Sequence, residues 1–168
     1  MFKIFILIAI PLISGCQKSL EASWEAEIVE YGVYRTEGEG KVLRQPSTAA
    51  GKSSIGDSVL LYTGSDVKLQ ERQGVGFTYE IHCSEKCSGK TIEIVIRHPL
   101  IRSGEGNELT ASRYLRNLPE TSGRYRSSLV YFFNEHNEMV PGLWSLSLEY
   151  DGKPLLKREF TVHFENRT

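Results

Sequence analysis

The sequence predicts an all-β fold, an antiparallel two-sheet sandwich of the immunoglobulin-like type with about seven to nine strands. Three observations predict it. Short runs of alternating apolar and polar residues recur along most of the chain. Turn residues separate these runs. No segment shows a sustained helical period of apolar residues. A lipocalin-like barrel is the alternative closure of the same strands.

The chain has 168 residues, 40% hydrophobic and 24% charged, an ordinary globular composition. Its first segment reads as an address rather than as fold. Met1-Phe2-Lys3 is a short positive start, and Ile4 to Leu12 is an apolar run too short to span a bilayer. Ile13-Ser14-Gly15-Cys16 then resembles a bacterial lipobox. On this reading residues 1–15 are a lipoprotein signal peptide. Cys16 becomes the new N-terminus, carrying diacylglycerol and palmitate, and 16–23 is a tether. The competing reading is an ordinary secretory signal with Cys16 incidental. Gln17 is not the Asp that favours inner-membrane retention in enterobacteria, which points to the outer membrane, facing the periplasm or the exterior. Removing 15 of 168 residues leaves 153, enough for one domain with a core, placed at 24–168. The removed segment holds one Lys and no acid, so the formal charge moves from −1 to −2. No basic excess points to nucleic acid. Membrane attachment would come from the acyl chains at Cys16.

Trp24 to Tyr34 is the first strand candidate. Its apolar parity switches near Ile28/Val29, which predicts a bulge or a strand crossing between sheets. Thr36 to Gly56 is rich in Gly, Ser, Lys and Thr and reads as a long loop, either a binding loop or a mobile excursion. Ser58 to Tyr62 and Val67 to Arg72 are short strand candidates. Val75, Phe77, Tyr79 and Ile81 share one face of the next run. Ile92, Ile94 and Ile96 point inward from Thr91 to His98, and Pro99 is expected to end that strand. Leu100 to Gly123 is loosely patterned, with a strand around Leu109 to Leu115 or a helical turn. Tyr125 to Phe133 is apolar on both parities, as a central strand covered on both sides would be. Asn134 to Val140 is a loop.

Trp144, Leu146, Leu148 and Tyr150 alternate, as do Leu156, Phe160, Val162 and Phe164, with Asp151-Gly152 between them. A two-residue loop would oppose Trp144 to Glu159 and set the apolar faces at odds. A three-residue loop, Tyr150-Asp151-Gly152, restores agreement and opposes Leu146 to Leu156. A type I turn with Gly152 left-handed and a bulge is therefore expected. Arg158 sits on the apolar parity and is expected to snorkel or to mark an irregularity. Pro141 opens the hairpin.

Glu30-Tyr31-Gly32-Val33-Tyr34, Gly74-Val75-Gly76-Phe77, His98-Pro99, and Val140-Pro141-Gly142-Leu143-Trp144 leading to Phe160-Thr161-Val162 resemble an uncharacterised bacterial lipoprotein family, domain of unknown function 3859. The resemblance covers roughly Trp24 to Phe164. Its motifs are turn glycines, a strand start and an aromatic core. They imply the sandwich and bring no catalytic residue.

Cys83-Ser84-Glu85-Lys86-Cys87 lies between two strands. With Cys16 lipidated, Cys83 and Cys87 are the two remaining cysteines, in an oxidising compartment, so a disulfide closing this loop is expected. The alternative is a metal held by both thiolates with His82, or with His82 and another His, although His82 and Cys83 point to opposite faces of a continued strand. His82, His98, His136 and His163 are scattered without metal-ligand spacing and read as surface or strand-end histidines. Asp57, Asp66 and Asp151 are too dispersed for a calcium loop or an aspartyl dyad. Ser103 to Glu108 lacks alternating acidic ligands and reads as a flexible loop. No nucleophile elbow, P-loop or dinucleotide fingerprint occurs. No enzyme, cofactor or metal is expected. The aromatics are read as core, with Tyr31, Tyr34, Tyr114 and Tyr125 the ones open to a surface role. The expected role is binding a protein partner or assisting an envelope assembly. Carriage of a small apolar ligand is the alternative, and a hydrolase or metalloprotein the third.

Overall fold

The structure, a computed structural model, describes residues 25–44, 52–70, 72–83, 89–102, 106–120 and 123–164, without the side chains of 38–44, 52–56 and 83. The described strands are β1 (Glu25–Arg44), β2 (Lys52–Tyr62), β3 (Asp66–Leu69), β4 (Gln73–Cys83), β5 (Thr91–Arg102), β6 (Glu108–Asn117), β7 (Gly123–Phe132), β8 (Gly142–Tyr150) and β9 (Lys153–Phe164). A 3-10 turn, His136–Glu138, interrupts the loop before β8. Signal peptide 1–15, Cys16 and tether 16–23 lie outside the described residues, as does Trp24.

The strands form two sheets, in orders β2-β1-β4-β7 and β3-β9-β8-β5-β6. The sheets remain separate, so the fold is the expected sandwich and not the lipocalin-like barrel. Every pairing is antiparallel except β3 on β9, where Asp66–Leu69 runs parallel to Thr161–Phe164. The core lies between the sheets. Val75, Phe77, Tyr79 and Ile81 meet Ile92, Ile94, Ile96, Trp144, Leu146 and Leu148, all buried. These are the alternating positions of β4, β5 and β8, since side chains two apart share a face.

The bulge expected in β1 is present. Ile28 pairs with Tyr79 and Glu30 with Thr78, which leaves Val29 unpaired and 44% exposed. Three expectations fail. Thr36 to Gly56 is not one long loop, because β1 and β2 pair through it, with Lys41 opposite Ile55 and Arg44 opposite Lys52. The polar, glycine-rich segment shows no apolar alternation, and backbone pairing needs none. Pro99 does not end β5. The strand bulges between Arg97 and Ile101 and continues to Arg102, with Ile101 fully buried. A bulge needs no donor from the proline nitrogen. Finally, β7 is an edge strand, not a central one. Its second apolar parity, Val130 and Phe132, lies on the outer face beside Gly76 and Gly74, where the missing side chains leave room.

The β8–β9 hairpin differs from expectation in its turn. Tyr150 pairs with Lys153, so the loop is the two residues Asp151 and Gly152, both at positive φ (49° and 71°), the signature of a type I′ turn. The faces are reconciled one step later. Glu149 opposes Pro154 but Leu148 opposes Leu156, so β9 absorbs one extra residue in a bulge. Leu146 consequently faces Arg158 and Trp144 faces Phe160. Pro154 tolerates its place because the pair after a two-residue hairpin exchanges no hydrogen bonds, and β3 reaches only Thr161–Phe164 on the other side.

Candidate functional site

The sequence-predicted cysteines do not enter the described geometry. Cys16 and Cys87 lie outside the described residues. Cys83 ends β4 with its backbone opposite Gly123, and its predicted disulfide to Cys87 also lies outside. Residues 103–105 of the Ser103 to Glu108 loop are likewise outside. Glu108 beyond them pairs with Arg102 at 3.0 Å. Among the described residues, no group of three His, Cys, Asp or Glu side chains could hold a metal ion.

The histidines part company. His82 is exposed on the outer face of β4, 3.4 Å from Glu25. His163 is exposed and lies 3.0 Å from Asp66. His136 opens the 3-10 turn. His98, expected at the surface or a strand end, is buried in the β5 bulge. It continues the inward parity of Ile92, Ile94 and Ile96, a signal already present in the sequence. Its ring centre is 5.1 Å from Trp144 and 6.5 Å from Tyr131. Nδ1 lies 2.8 Å from the Pro99 carbonyl, which only accepts, so Nδ1 carries the proton and Nε2 is buried without a partner among the described residues. Burial pushes its pKa below the ordinary value, the Pro99 carbonyl opposing in part.

Around Trp144 the rings of Tyr131 and Phe133 each pack with centres 4.8 Å away. The Tyr131 hydroxyl donates to Glu138 Oε1 at 2.7 Å. Glu138 Oε2 accepts from the backbone N–H of Asn134 at 3.2 Å and of Glu135 at 3.0 Å. This buried carboxylate is thereby satisfied on both oxygens. Burial still pushes its pKa up, against the hydrogen bonds that favour the charge. Burial and the facing carboxylate push the Tyr131 phenol far above its ordinary range, so it acts only as a neutral donor.

Open grooves among the described residues include these two. One, of about 400 Å³, lies on the outer face of the four-stranded sheet between Glu25, Glu27, Glu80, His82 and Arg124. Its charges are mixed, because Arg124 and Arg126 both approach Glu80, at 3.7 and 3.6 Å. The other, about 440 Å³ and shallower, is bounded by Ser65, Lys157, Arg158 and Glu159. Exposed large apolar side chains include Leu115 (73%), Leu143 (58%) and Leu100 (48%). Pro99 packs directly on Gly142, which brings the neighbouring Leu100 and Leu143 to the same end of the sandwich.

Of the tyrosines singled out, Tyr34 is buried, bonded to Thr78 Oγ1 at 3.3 Å, and Tyr31 is half-buried at the core margin. Tyr114 and Tyr125 flank Arg116, a residue the sequence reading missed. Ser112, Tyr114 and Arg116 oppose Ile96, Ile94 and Ile92, so all three face the space between the sheets. Arg116 crosses that space. Its Nη1 donates to the Tyr79 hydroxyl at 2.9 Å, the Ser128 carbonyl at 3.2 Å and Ser127 Oγ at 3.3 Å. An arginine on the inward parity of a strand was the available signal, hidden because β6 has no apolar alternation.

A family model described as a domain of unknown function (DUF3859) matches residues 22–162. No curated protein matches the chain. Among solved structures, an immunoglobulin-like protein from Pseudomonas aeruginosa aligns with a TM-score of 0.58 at 16% identity, covering 83% of this chain and 97% of that one. At this identity the likeness shows the fold alone. A β-glucosidase from Listeria innocua aligns with a TM-score of 0.43 at 8% identity, covering 85% of this chain and 16% of that one. That score carries no argument.

Proposed function

The chain belongs to the DUF3859 family, and from that membership and its immunoglobulin-like sandwich we propose a membrane-anchored lipoprotein of the bacterial envelope whose sandwich binds a protein partner or assists an envelope assembly. Cys16 supplies the anchor through its acyl chains. The observation that supports partner binding is the exposure of Leu143 (58%) and Leu100 (48%) at one end of the sandwich. Large apolar side chains grouped on a surface gain free energy when a partner removes them from water. The chain enters β1 at Glu25, opposite His82, whereas Leu143 follows Gly142, the first residue of β8, near the far end of the strands. An anchored domain would therefore present this patch away from the membrane.

Crosslinking in the native membrane, followed by recovery of the chain, tests this reading. One partner recovered with the anchored chain and lost with Leu143→Glu supports it. A Cys16→Ala chain exported behind a cleavable soluble signal separates the two parts. If it still captures the partner, the sandwich itself recognises it. If neither anchored nor soluble chain captures any protein, partner binding is wrong. If the native chain carries no acyl group by mass spectrometry, the anchor is wrong.

A further inference from the structure

On the side of the sandwich where β6 and β7 lie, each strand is the edge of its sheet, and among the described residues none pairs with either on its outer side. Arg116 sits between these edges, partly buried. All three of its hydrogen bonds run through Nη1, so Nε and Nη2 make none among the described residues. No carboxylate pairs with it there either. Its polar neighbours are neutral: phenols, the Ser127 hydroxyl and the Ser128 carbonyl. Tyr79 accepts from it, and Tyr79 and Tyr125 pack edge to face with centres 6.3 Å apart. The hydroxyls of Tyr114 and Tyr125, both partly buried, make no hydrogen bond among the described residues. Three neutral acceptors return part of the solvation this cation loses on burial, but no counter-charge among the described residues offsets it. A planar anion would supply one.

We propose that this side of the sandwich is a carboxylate-binding site, in which Nε and Nη2 of Arg116 form the fork and the Tyr114 and Tyr125 hydroxyls donate beside it. A carboxylate fits better than a phosphate. One guanidinium with neutral phenols offers a single positive charge and two parallel N–H donors, the complement of a planar monoanion. The acid has two possible sources, the side chain of a bound partner strand or a free small carboxylate. The site stands without the partner-binding reading, and only the peptide arm of the test bears on that reading.

The full chain in detergent is titrated with acetate in a carboxylate-free buffer, following the Arg116 side-chain Nε–H signal by NMR. A saturable shift is expected. Tyr114→Phe removes one donor without touching the Nη1 bonds and should weaken acetate about tenfold. A short blocked peptide with a central Glu, and its Gln counterpart, form the second arm. Binding of the Glu peptide well below the acetate concentration, with the Gln peptide silent, assigns the site to a partner's acidic side chain. Equal affinity for acetate and the Glu peptide assigns it to free carboxylates. A shift that never saturates, or that Tyr114→Phe leaves unchanged, overturns the site, whatever the crosslinking experiment finds.

Discussion

The Arg158 guanidinium of β9 lies 3.5 Å from the centre of the Tyr31 ring of β1. The two residues belong to different sheets, so this contact joins the layers at their margin. The cation also donates through Nη2 to Ser65 Oγ at 2.9 Å, which fixes it over the ring face. Truncation to Arg158→Ala should cost about 1–2 kcal/mol of unfolding free energy. Arg158→Lys keeps the charge but loses the flat stack and should recover less than half of that. Urea denaturation of both variants checks this. A double-mutant cycle with Tyr31→Leu should show coupling, and additive losses would deny the contact.

Glu138 should be among the most sensitive polar positions. In Glu138→Ala the Tyr131 hydroxyl and the N–H groups of Asn134 and Glu135 lose their acceptor together. A loss of about 3 kcal/mol is expected. Glu138→Gln retains one carbonyl acceptor and should fall between the two. Thermal melts of the three proteins order them.

Acid should weaken the domain through His98. Burial holds its imidazole neutral, below the ordinary pKa of 6.5, so on acidification the unfolded chain takes up this proton first. The contribution of His98 is complete above pH 6.5 and is lost as pH falls through the folded value. Glu138 works in the opposite sense. Its raised pKa means that the folded chain binds that proton first, which favours folding at lower pH. His98→Phe should therefore lose the part of the wild-type decline that sets in as pH falls below 6.5, and Glu138→Gln should lose the opposing gain that Glu138 brings on acidification. Stability measured against pH for the three chains decides, and an unchanged decline in His98→Phe would assign it elsewhere.

Gly76 should resist the smallest substitution. A Cβ there would run into the Leu129 carbonyl oxygen and stand 2.6 Å from Val130 Cα. Both obstacles are backbone or close to it, so relief requires β7 to move. Gly76→Ala should cost about 2 kcal/mol. Gly152→Ala, strained only by its positive φ with open space around it, should cost about 1 kcal/mol. Chemical denaturation of the pair ranks close approach against turn strain.

The sandwich was legible because burial on one face writes itself as alternation. Val75 to Ile81 and Trp144 to Leu148 carried both the fold and the core. What stayed hidden was pairing without burial and burial without alternation. The β1–β2 extension has no apolar face to announce it. The bulges at Pro99 and Pro154 each changed a strand's course without leaving a periodic trace. The buried polar groups were missed for a related reason. Glu138 owes its burial to a turn that brings it back to Tyr131, and Arg116 to a partner sheet contributed by β4 and β7. Such meetings depend on which strands become neighbours, and periodicity is silent on that.

The place of β9 in its sheet has a bearing on biosynthesis. It lies between β3 and β8 although it is made after both. A nascent chain that has emerged only as far as Phe132 can align β1, β2, β4 and β7 in one sheet and pair β5 with β6 in the other, but the second sheet still lacks β8 and β9, and with them Trp144, Leu146, Leu148, Phe160 and Val162 of the core. The Asp66–Leu69 segment must wait for Thr161–Phe164 to be synthesised before it finds its neighbour. The domain therefore closes only when nearly the whole sequence is available. Until then the second layer of the core lacks its centre, so the order of synthesis sets the order of closure.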